Sequence, residues 1–212
     1  MESRNSERPA LMIAVLGGLV WASFAPTSLL FGVYLRSLGV SYTSIGLLMT
    51  VASVLSSSLQ VTFGTIADRY GNRKTLISAS LLLRTLASFM LMLSGDVINI
   101  SIWYVGTSLF LSGFMPLAQS IVADLSEGRR LGISMGRYRL FGSMGWAISC
   151  IVTGLLAKYD TRNIFPITFA FSIASFLASL ALPEVKSTRE WHPESTREGA
   201  RVSATLVICF QV

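Results

Sequence analysis

The chain has 212 residues, of which 52% are hydrophobic and 13% charged, and its mean hydropathy is +0.61. A soluble domain carries about 25% charged residues, so this composition excludes a protein whose whole surface faces water. Two cysteines and a single histidine exclude a disulfide framework and leave little basis for a histidine-based metal site or catalytic triad.

Six apolar stretches are long enough to cross a bilayer, which takes about 20 mostly apolar residues. They are Pro9–Leu35, Ser44–Ile66, Thr75–Leu93, Ile100–Val122, Leu140–Ala157 and Ile164–Leu182. The first stretch is longer than the apolar core of a signal peptide, about 7–15 residues, and we expect it to remain as a span. We therefore predict an all-α integral membrane protein whose residues 1–182 form a bundle of six helices.

The chain after the sixth span differs in character. Residues 183–202 are polar, contain Pro193 and repeat the letters STRE, which is typical of a solvated cytoplasmic linker. Residues 203–212 are apolar but too few to cross a bilayer as a helix. We interpret them as the truncated start of a seventh span.

The net charge of +6 comes from basic residues that concentrate on one side of the predicted membrane spans. This placement favours membrane topology over a patch for nucleic acid. The two terminal segments and the loops on their side hold 13 of the 17 basic residues, and the opposite loops hold three. Because Lys and Arg concentrate on the cytoplasmic side, both termini are predicted to be cytoplasmic. The simplest location is the plasma membrane, with the lipid bilayer as the surrounding partner.

The connection between spans two and three carries spaced glycines and charges. They are Gly64, Asp68, Arg69, Gly71, Arg73 and Lys74. We expect Gly64 to allow close approach of another helix, Asp68 to place a carboxylate at a helix end, and Gly71 to permit a tight turn. The simpler alternative is a short positive loop that only obeys the topology rule.

This spacing resembles the G-x-x-x-D-R-x-G-x-R-K signature of the major facilitator superfamily, which lies in the same loop. Span five begins Gly136-Arg-Tyr-Arg-Leu-Phe-Gly-Ser-Met-Gly-Trp146. This stretch resembles members related to lactose and nucleoside proton symporters, in which small residues let the fifth helix pack tightly. The resemblance covers residues 10 to 200, the amino-terminal half of a fold built from two six-helix halves. It implies a gating role for the loop motif and interface roles for the charges Asp124, Arg137 and Arg139.

The resemblance also implies that spans one, two, four and five line a central cavity, with spans three and six outside. The candidate lining residues are Trp21, Phe24, Gln60, Phe114, Gln119 and Trp146. Ser53, Ser57 and Gln60 recur at helical spacing along span two. Ordinary helix packing also explains such serines, whereas an amide within hydrocarbon needs a polar partner.

Arg84 is the basic residue that falls inside a predicted span, about nine residues or roughly 13 Å from its start. An arginine at this depth indicates a functional site by default. Because the resemblance places span three at the periphery, the favoured interpretation is a structural bond to carbonyl or amide groups within the bundle.

The sequence predicts transport of a small solute by alternating access, as half of a secondary transporter working by symport or efflux. Aromatic and amide candidates fit a sugar, a nucleoside or an amphiphilic drug equally well. No hydrolase or metalloprotease motif is present, so we expect neither an enzyme nor a cofactor. The second half is expected in the same gene, in another chain or in a second copy. The alternative function is a six-helix membrane scaffold that binds partners without transport.

Overall fold

The protein is described by a computed structural model. It describes residues 2–70, 73–126 and 131–182, with the side chains of all of them except residues 2–8 and 65–70. The predicted linker at 183–202, the apolar segment at 203–212 and Gly71 lie outside the described residues.

The described residues form six long helices and no strand. They are α1 (Glu2–Ser37), α2 (Tyr42–Tyr70), α3 (Arg73–Leu93), α4 (Val97–Asp124), α5 (Leu131–Ala157) and α6 (Ile164–Leu180), with a short 3-10 turn at Thr161–Asn163. All six have segments long and apolar enough to cross a membrane. The described residues therefore form an all-α, six-helix integral membrane bundle, as the composition predicts.

Helix α5 begins at Leu131, nine residues before the apolar stretch that predicts it at Leu140. Its first turns contain Arg137 and Arg139, which interrupt the apolar run without ending the helix. Hydropathy marks only the part of a helix that suits hydrocarbon, and a helix continues beyond the bilayer as long as its backbone is hydrogen-bonded.

The order of packing leaves one side of the bundle open. Helix α1 packs on α5 and α6, α3 packs on α4 and α6, and α2 packs mainly on α4. The described parts of α2 and α5 make no contact with each other. A groove therefore lies between α2 and α5, with α1 and α4 at its base and with α3 and α6 on the far side of the bundle.

The apolar core has two parts along the bundle axis. One part lies towards the end of α4 at Asp124 and includes Leu16, Leu81 and Phe114. The other lies towards the start of α4 and includes Phe31 and Phe165.

Helices α1 and α5 approach closely enough for backbone contact. A Cβ atom on Gly145 would lie 2.0 Å from the carbonyl oxygen of Gly18. Four residues later, the Ser149 hydroxyl donates a hydrogen bond of 2.6 Å to the carbonyl oxygen of Ala22. Small residues give this approach in membranes because neighbouring backbones then make dense van der Waals contact. This is the tight packing of helix five that the sequence predicts.

Helices α3 and α6 meet through hydroxyl groups. Thr85 donates to the carbonyl oxygen of Ser172 at 3.1 Å, and Ser179 donates to the hydroxyl of Ser78 at 3.2 Å. Ser172 and Ser179 are fully buried. These bonds fix α6 against α3 on the side of the bundle away from the groove.

Candidate functional site

The groove contains a cavity of about 620 Å³ between α1, α4 and α5, which we call the aromatic cavity. It is lined by Trp21, Met115, Gln119, Met135, Tyr138, Arg139, Gly142, Ser143 and Trp146. Its volume lies within the range of about 300–1,000 Å³ that small-molecule sites occupy. Three predicted lining residues, Trp21, Gln119 and Trp146, come together here.

Two tryptophans form one wall of the aromatic cavity, and a phenylalanine packs against both of them. The ring centroids of Trp21 and Trp146 are 5.8 Å apart, and Phe24 lies 5.7 Å from Trp146 and 6.2 Å from Trp21. Gly142 makes room for this wall, since a Cβ there would lie 2.8 Å from Cδ1 of Trp21. The three rings meet edge to face or tilted, a favourable geometry that holds them in fixed orientations.

Few polar side chains line this cavity, and they come from α4 and α5. The side chains of Gln119, Arg139 and Ser143 are exposed, line this cavity and form no hydrogen bond with any described residue. The Tyr138 hydroxyl is buried and likewise has no partner among the described residues. A mainly apolar cavity with a few unsatisfied donors and acceptors suits a solute with both apolar and polar faces.

A second cavity of about 190 Å³ lies between α1, α2 and α4, and we call it the hydroxyl cleft. Its lining is Phe24, Ala52, Ser53, Ser56, Ser57, Gln60, Tyr104, Ser108, Leu111, Ser112 and Met115. The predicted lining residues Phe24 and Gln60 lie here, as do two serines of the span-two stripe. Met115 lines both cavities, so the two are neighbours along α4.

Phe114 does not line either cavity. Its side chain is fully buried in the core, against which Met115 also packs. Adjacent residues on a helix point about 100° apart, so an error of one position turns a cavity residue into a core residue. Met115, four residues before Gln119, takes the place predicted for Phe114.

The loop motif is only partly described. Asp68 and Arg69 belong to α2, but their side chains lie outside the described residues, as does Gly71. A Cβ on Gly64 would meet no atom within 4 Å. The close helix approach predicted at Gly64 is therefore not made by the described residues, because α2 packs mainly on α4 and leaves that side open.

Arg73 of the motif forms a buried ion pair with Asp124 at the end of α4. Side-chain exposure is 2% for Arg73 and 6% for Asp124. The pair joins the start of α3 to the end of α4. Sequence reasoning did not predict it, because the partners are 51 residues apart and several arginines compete for Asp124. The half-buried Lys74 and the exposed Arg137 have no ion pair among the described side chains.

Arg84 is 1% exposed and lies between three helices. Its Nη1 donates to the carbonyl oxygen of Thr107 on α4 at 2.8 Å. Its Nε and Nη2 donate to the hydroxyl of Ser23 on α1 at 3.3 and 3.1 Å. The guanidinium is thus bound inside the bundle and does not line either cavity.

Comparison with known proteins places this geometry in a family. The chain matches the Major Facilitator Superfamily over residues 10–211. It is 33% identical over 132 residues to the raffinose permease of Escherichia coli, covering 60% of this chain and 31% of that protein. It is 28% identical to the maltose permease of Geobacillus stearothermophilus, covering 76% and 40%. It is 24% identical to the quinolone resistance protein NorA of Staphylococcus aureus, covering 71% and 38%.

Solved structures show the same fold at low sequence identity. A bacterial homolog of the human lysosomal transporter Spinster has a TM-score of 0.69 and 15% identity, covering 89% of this chain and 46% of that one. A proton-dependent oligopeptide transporter gives 0.75 and 11%, covering 96% and 48%. The chain spans less than half the length of each of these five proteins. With its helical bundle, its loop motif and this match, the chain belongs to the major facilitator superfamily.

Proposed function

We propose that this chain is half of a secondary transporter that moves a sugar across the membrane by alternating access. The observation that carries the proposal is the aromatic cavity, which is lined by α1, α4 and α5 in a bundle whose α2 and α5 make no contact with each other. In a transporter built from two halves, the solute site lies between the halves near the middle of the membrane. The open side of the bundle is where such a site would be completed.

The chemistry of the aromatic cavity favours a sugar. A pyranose ring has an apolar face of C–H groups, which suits the tryptophan wall formed by Trp21 and Trp146. Its rim of hydroxyls both donates and accepts hydrogen bonds, which suits Gln119, Arg139 and Ser143. Two of the relatives are named for sugars, raffinose and maltose.

An amphiphilic drug is the second candidate solute. The cavity is mainly apolar, and one relative is named for quinolone resistance. A drug would use the same aromatic wall but would depend less on hydrogen bonds to Gln119 and Ser143. A direct binding comparison separates the two solutes.

A second six-helix half is the partner that this proposal requires. Only 11% of the apolar window of α2 and 17% of that of α5 are buried, compared with at least 39% in the other four helices. We propose that these two faces meet the second half, which comes from the same gene, another chain or a second copy. Both termini then lie on the cytoplasmic side of the plasma membrane, as the basic residues indicate.

Binding of tritiated raffinose and maltose to the chain in lipid nanodiscs tests the proposal. Trp146→Ala removes one ring of the cavity wall, and Trp103→Ala removes a ring that lines neither cavity. We expect Trp146→Ala to weaken sugar binding about tenfold and Trp103→Ala to leave it unchanged, with both variants monodisperse.

Two outcomes would contradict sugar transport. Binding of a quinolone that Trp146→Ala weakens, with no binding of either sugar, would establish the drug as the solute. Absence of binding for every solute, both in this chain and in the chain joined to a second six-helix half, would favour the non-transporting scaffold.

A further inference from the structure

We propose that the hydroxyl cleft is a second solute subsite, which binds a further sugar ring of the same molecule through Tyr104. The inference rests on the proposed sugar transport and specifies the solute as one with at least two linked rings. Three observations carry it: the Tyr104 hydroxyl without a hydrogen-bond partner, the hydrogen bonds that the surrounding serines do and do not make, and the position of the cleft beside the aromatic cavity.

Tyr104 presents a hydroxyl without a partner in a fixed position. Its ring stacks on Phe31 with centroids 3.8 Å apart and planes 7° apart. The residue is only 8% exposed, and it lines the cleft. Its hydroxyl forms no hydrogen bond with the described residues, and it is not among their fully enclosed, unsatisfied atoms. Because Tyr104 lines the cleft and its hydroxyl has no partner among the described residues, that hydroxyl is available to a ligand bound there.

The serines around Tyr104 offer both kinds of hydrogen-bonding group. Ser56, Ser108 and Ser112 already donate to carbonyl oxygens of their own helices, at 3.0, 3.1 and 2.6 Å, so each offers its oxygen as an acceptor. The side chains of Ser53, Ser57 and Gln60 form no hydrogen bond among the described residues and can donate as well as accept. Each hydroxyl of a sugar needs such a mixture, because it donates one hydrogen bond and accepts others.

The apolar part of the cleft completes the match to a sugar ring. Phe24, Leu111 and Met115 supply a hydrophobic surface beside the polar groups. The cleft volume of about 190 Å³ is less than a third of that of the aromatic cavity. The smaller cavity is therefore assigned a single ring of the solute.

The two cavities follow one another along α4. Their lining residues on this helix run from Tyr104 through Met115 to Gln119. The 15 residue-to-residue steps from Tyr104 to Gln119 span about 22 Å at about 1.5 Å per step. A single ring occupies only one end of this length, whereas a chain of rings reaches both cavities past Met115.

The test compares sugars of one, two and three rings in the 212-residue chain in nanodiscs. Binding of glucose, maltose and raffinose is measured for wild type, Tyr104→Phe and Ser57→Ala. Tyr104→Phe keeps the stack on Phe31 and removes only the hydroxyl. The matched controls are Tyr42→Phe, which changes an exposed tyrosine, and Ser58→Ala, which changes a neighbouring serine outside the cleft.

We expect wild type to bind maltose and raffinose at least about tenfold more tightly than glucose. Tyr104→Phe and Ser57→Ala should each weaken maltose and raffinose binding by about three- to tenfold, the effect of one lost hydrogen bond. Glucose binding should change less than about twofold, because one ring occupies the aromatic cavity. The controls should match wild type.

Equal binding of all three sugars, with no effect of Tyr104→Phe or Ser57→Ala, overturns the inference. The aromatic cavity would then be a sugar site without a second subsite. Equal weakening of all three sugars by Tyr104→Phe, with Ser57→Ala neutral, also overturns it, since Tyr104 then acts on the fold. If Tyr104→Phe is not monodisperse, Ser57→Ala decides. Failure of every sugar to bind wild type, both alone and joined to a second six-helix half, refutes the proposed sugar transport and this inference together.

Discussion

A single buried arginine illustrates how the membrane changes the energetics of a charged residue. In a separated α3 helix, Arg84 would face hydrocarbon near the middle of its span, which is costly for any charge. In the bundle, its guanidinium donates to Ser23 and to the carbonyl oxygen of Thr107. Assembly of α1, α3 and α4 therefore satisfies a group that the separated helix cannot satisfy, and Arg84 favours the bundle.

Replacing Arg84 should weaken the bundle in proportion to the bonds lost. We expect Arg84→Leu to lower the free energy of unfolding by about 1–3 kcal/mol. Arg84→Lys should lower it less, because an ammonium group retains the charge but lacks the planar fork that reaches two partners. The measurement is thermal unfolding in detergent, followed by size-exclusion chromatography. An Arg84→Leu protein as stable as wild type, but unable to bind sugar, would instead make Arg84 functional.

At the scale of helices, the α1–α5 contact depends on glycine at particular turns. Gly145 of α5 faces the carbonyl oxygen of Gly18, whereas a Cβ on Gly154, further along the same helix, meets no atom within 4 Å. The two glycines thus form a matched pair, one within the contact and one outside it.

Alanine substitution at these two glycines should have opposite effects. Gly145→Ala must push the helices apart, and we expect a loss of stability of about 1–3 kcal/mol, typical of overpacking. Gly154→Ala should be neutral or slightly stabilising, because alanine is the better helix former. Melting temperatures of the two variants check this. Equal behaviour of both variants would mean that α1 and α5 do not make backbone contact.

The sequence predicted the helices much better than the contacts of individual side chains. Apolar length alone predicted all six spans, but it placed the start of α5 nine residues late because it ignores the polar turns of a helix. The resemblance named Trp21 and Trp146, which line the aromatic cavity, and also Phe114, which lies in the core. Rotation about a helix axis depends on packing against neighbours, and apolar helices such as α4 carry little periodicity to fix it.

Contacts between distant parts of the chain were the least predictable. The depth of Arg84 was evident from its place in the third span, but its partners Ser23 and Thr107 lie 61 and 23 residues away. Many other hydroxyls and carbonyls in the bundle would have satisfied the same donors. Tyr104 and Met115 were missed for a related reason, since aromatic and sulfur side chains are common in apolar helices and carry no distinguishing pattern.

At the scale of the whole molecule, the bundle has one closed and one open side. Helices α3 and α6 close one side through hydrogen-bonded hydroxyls. Helices α2 and α5 leave the other side open, and both cavities lie there. We propose that a second half completes the cavities from this side and that rocking between the halves exposes the solute to each face of the membrane in turn.

The measurement that tests this account most directly is protection of a cavity position by sugar. Cys150 and Cys209 are first replaced by serine, and a single cysteine is then introduced as Ser143→Cys in the aromatic cavity. The control is Gly154→Cys, on the same helix but outside both cavities. The rate of alkylation by N-ethylmaleimide is measured in membranes with and without raffinose or maltose.

We predict that saturating sugar slows alkylation several-fold in Ser143→Cys and leaves it unchanged in Gly154→Cys, because a bound ring covers the cavity position. Rates that sugar leaves unchanged in both variants, in membranes where both cysteines react, would contradict the account, since the cavity between α1, α4 and α5 would then not be where the solute binds.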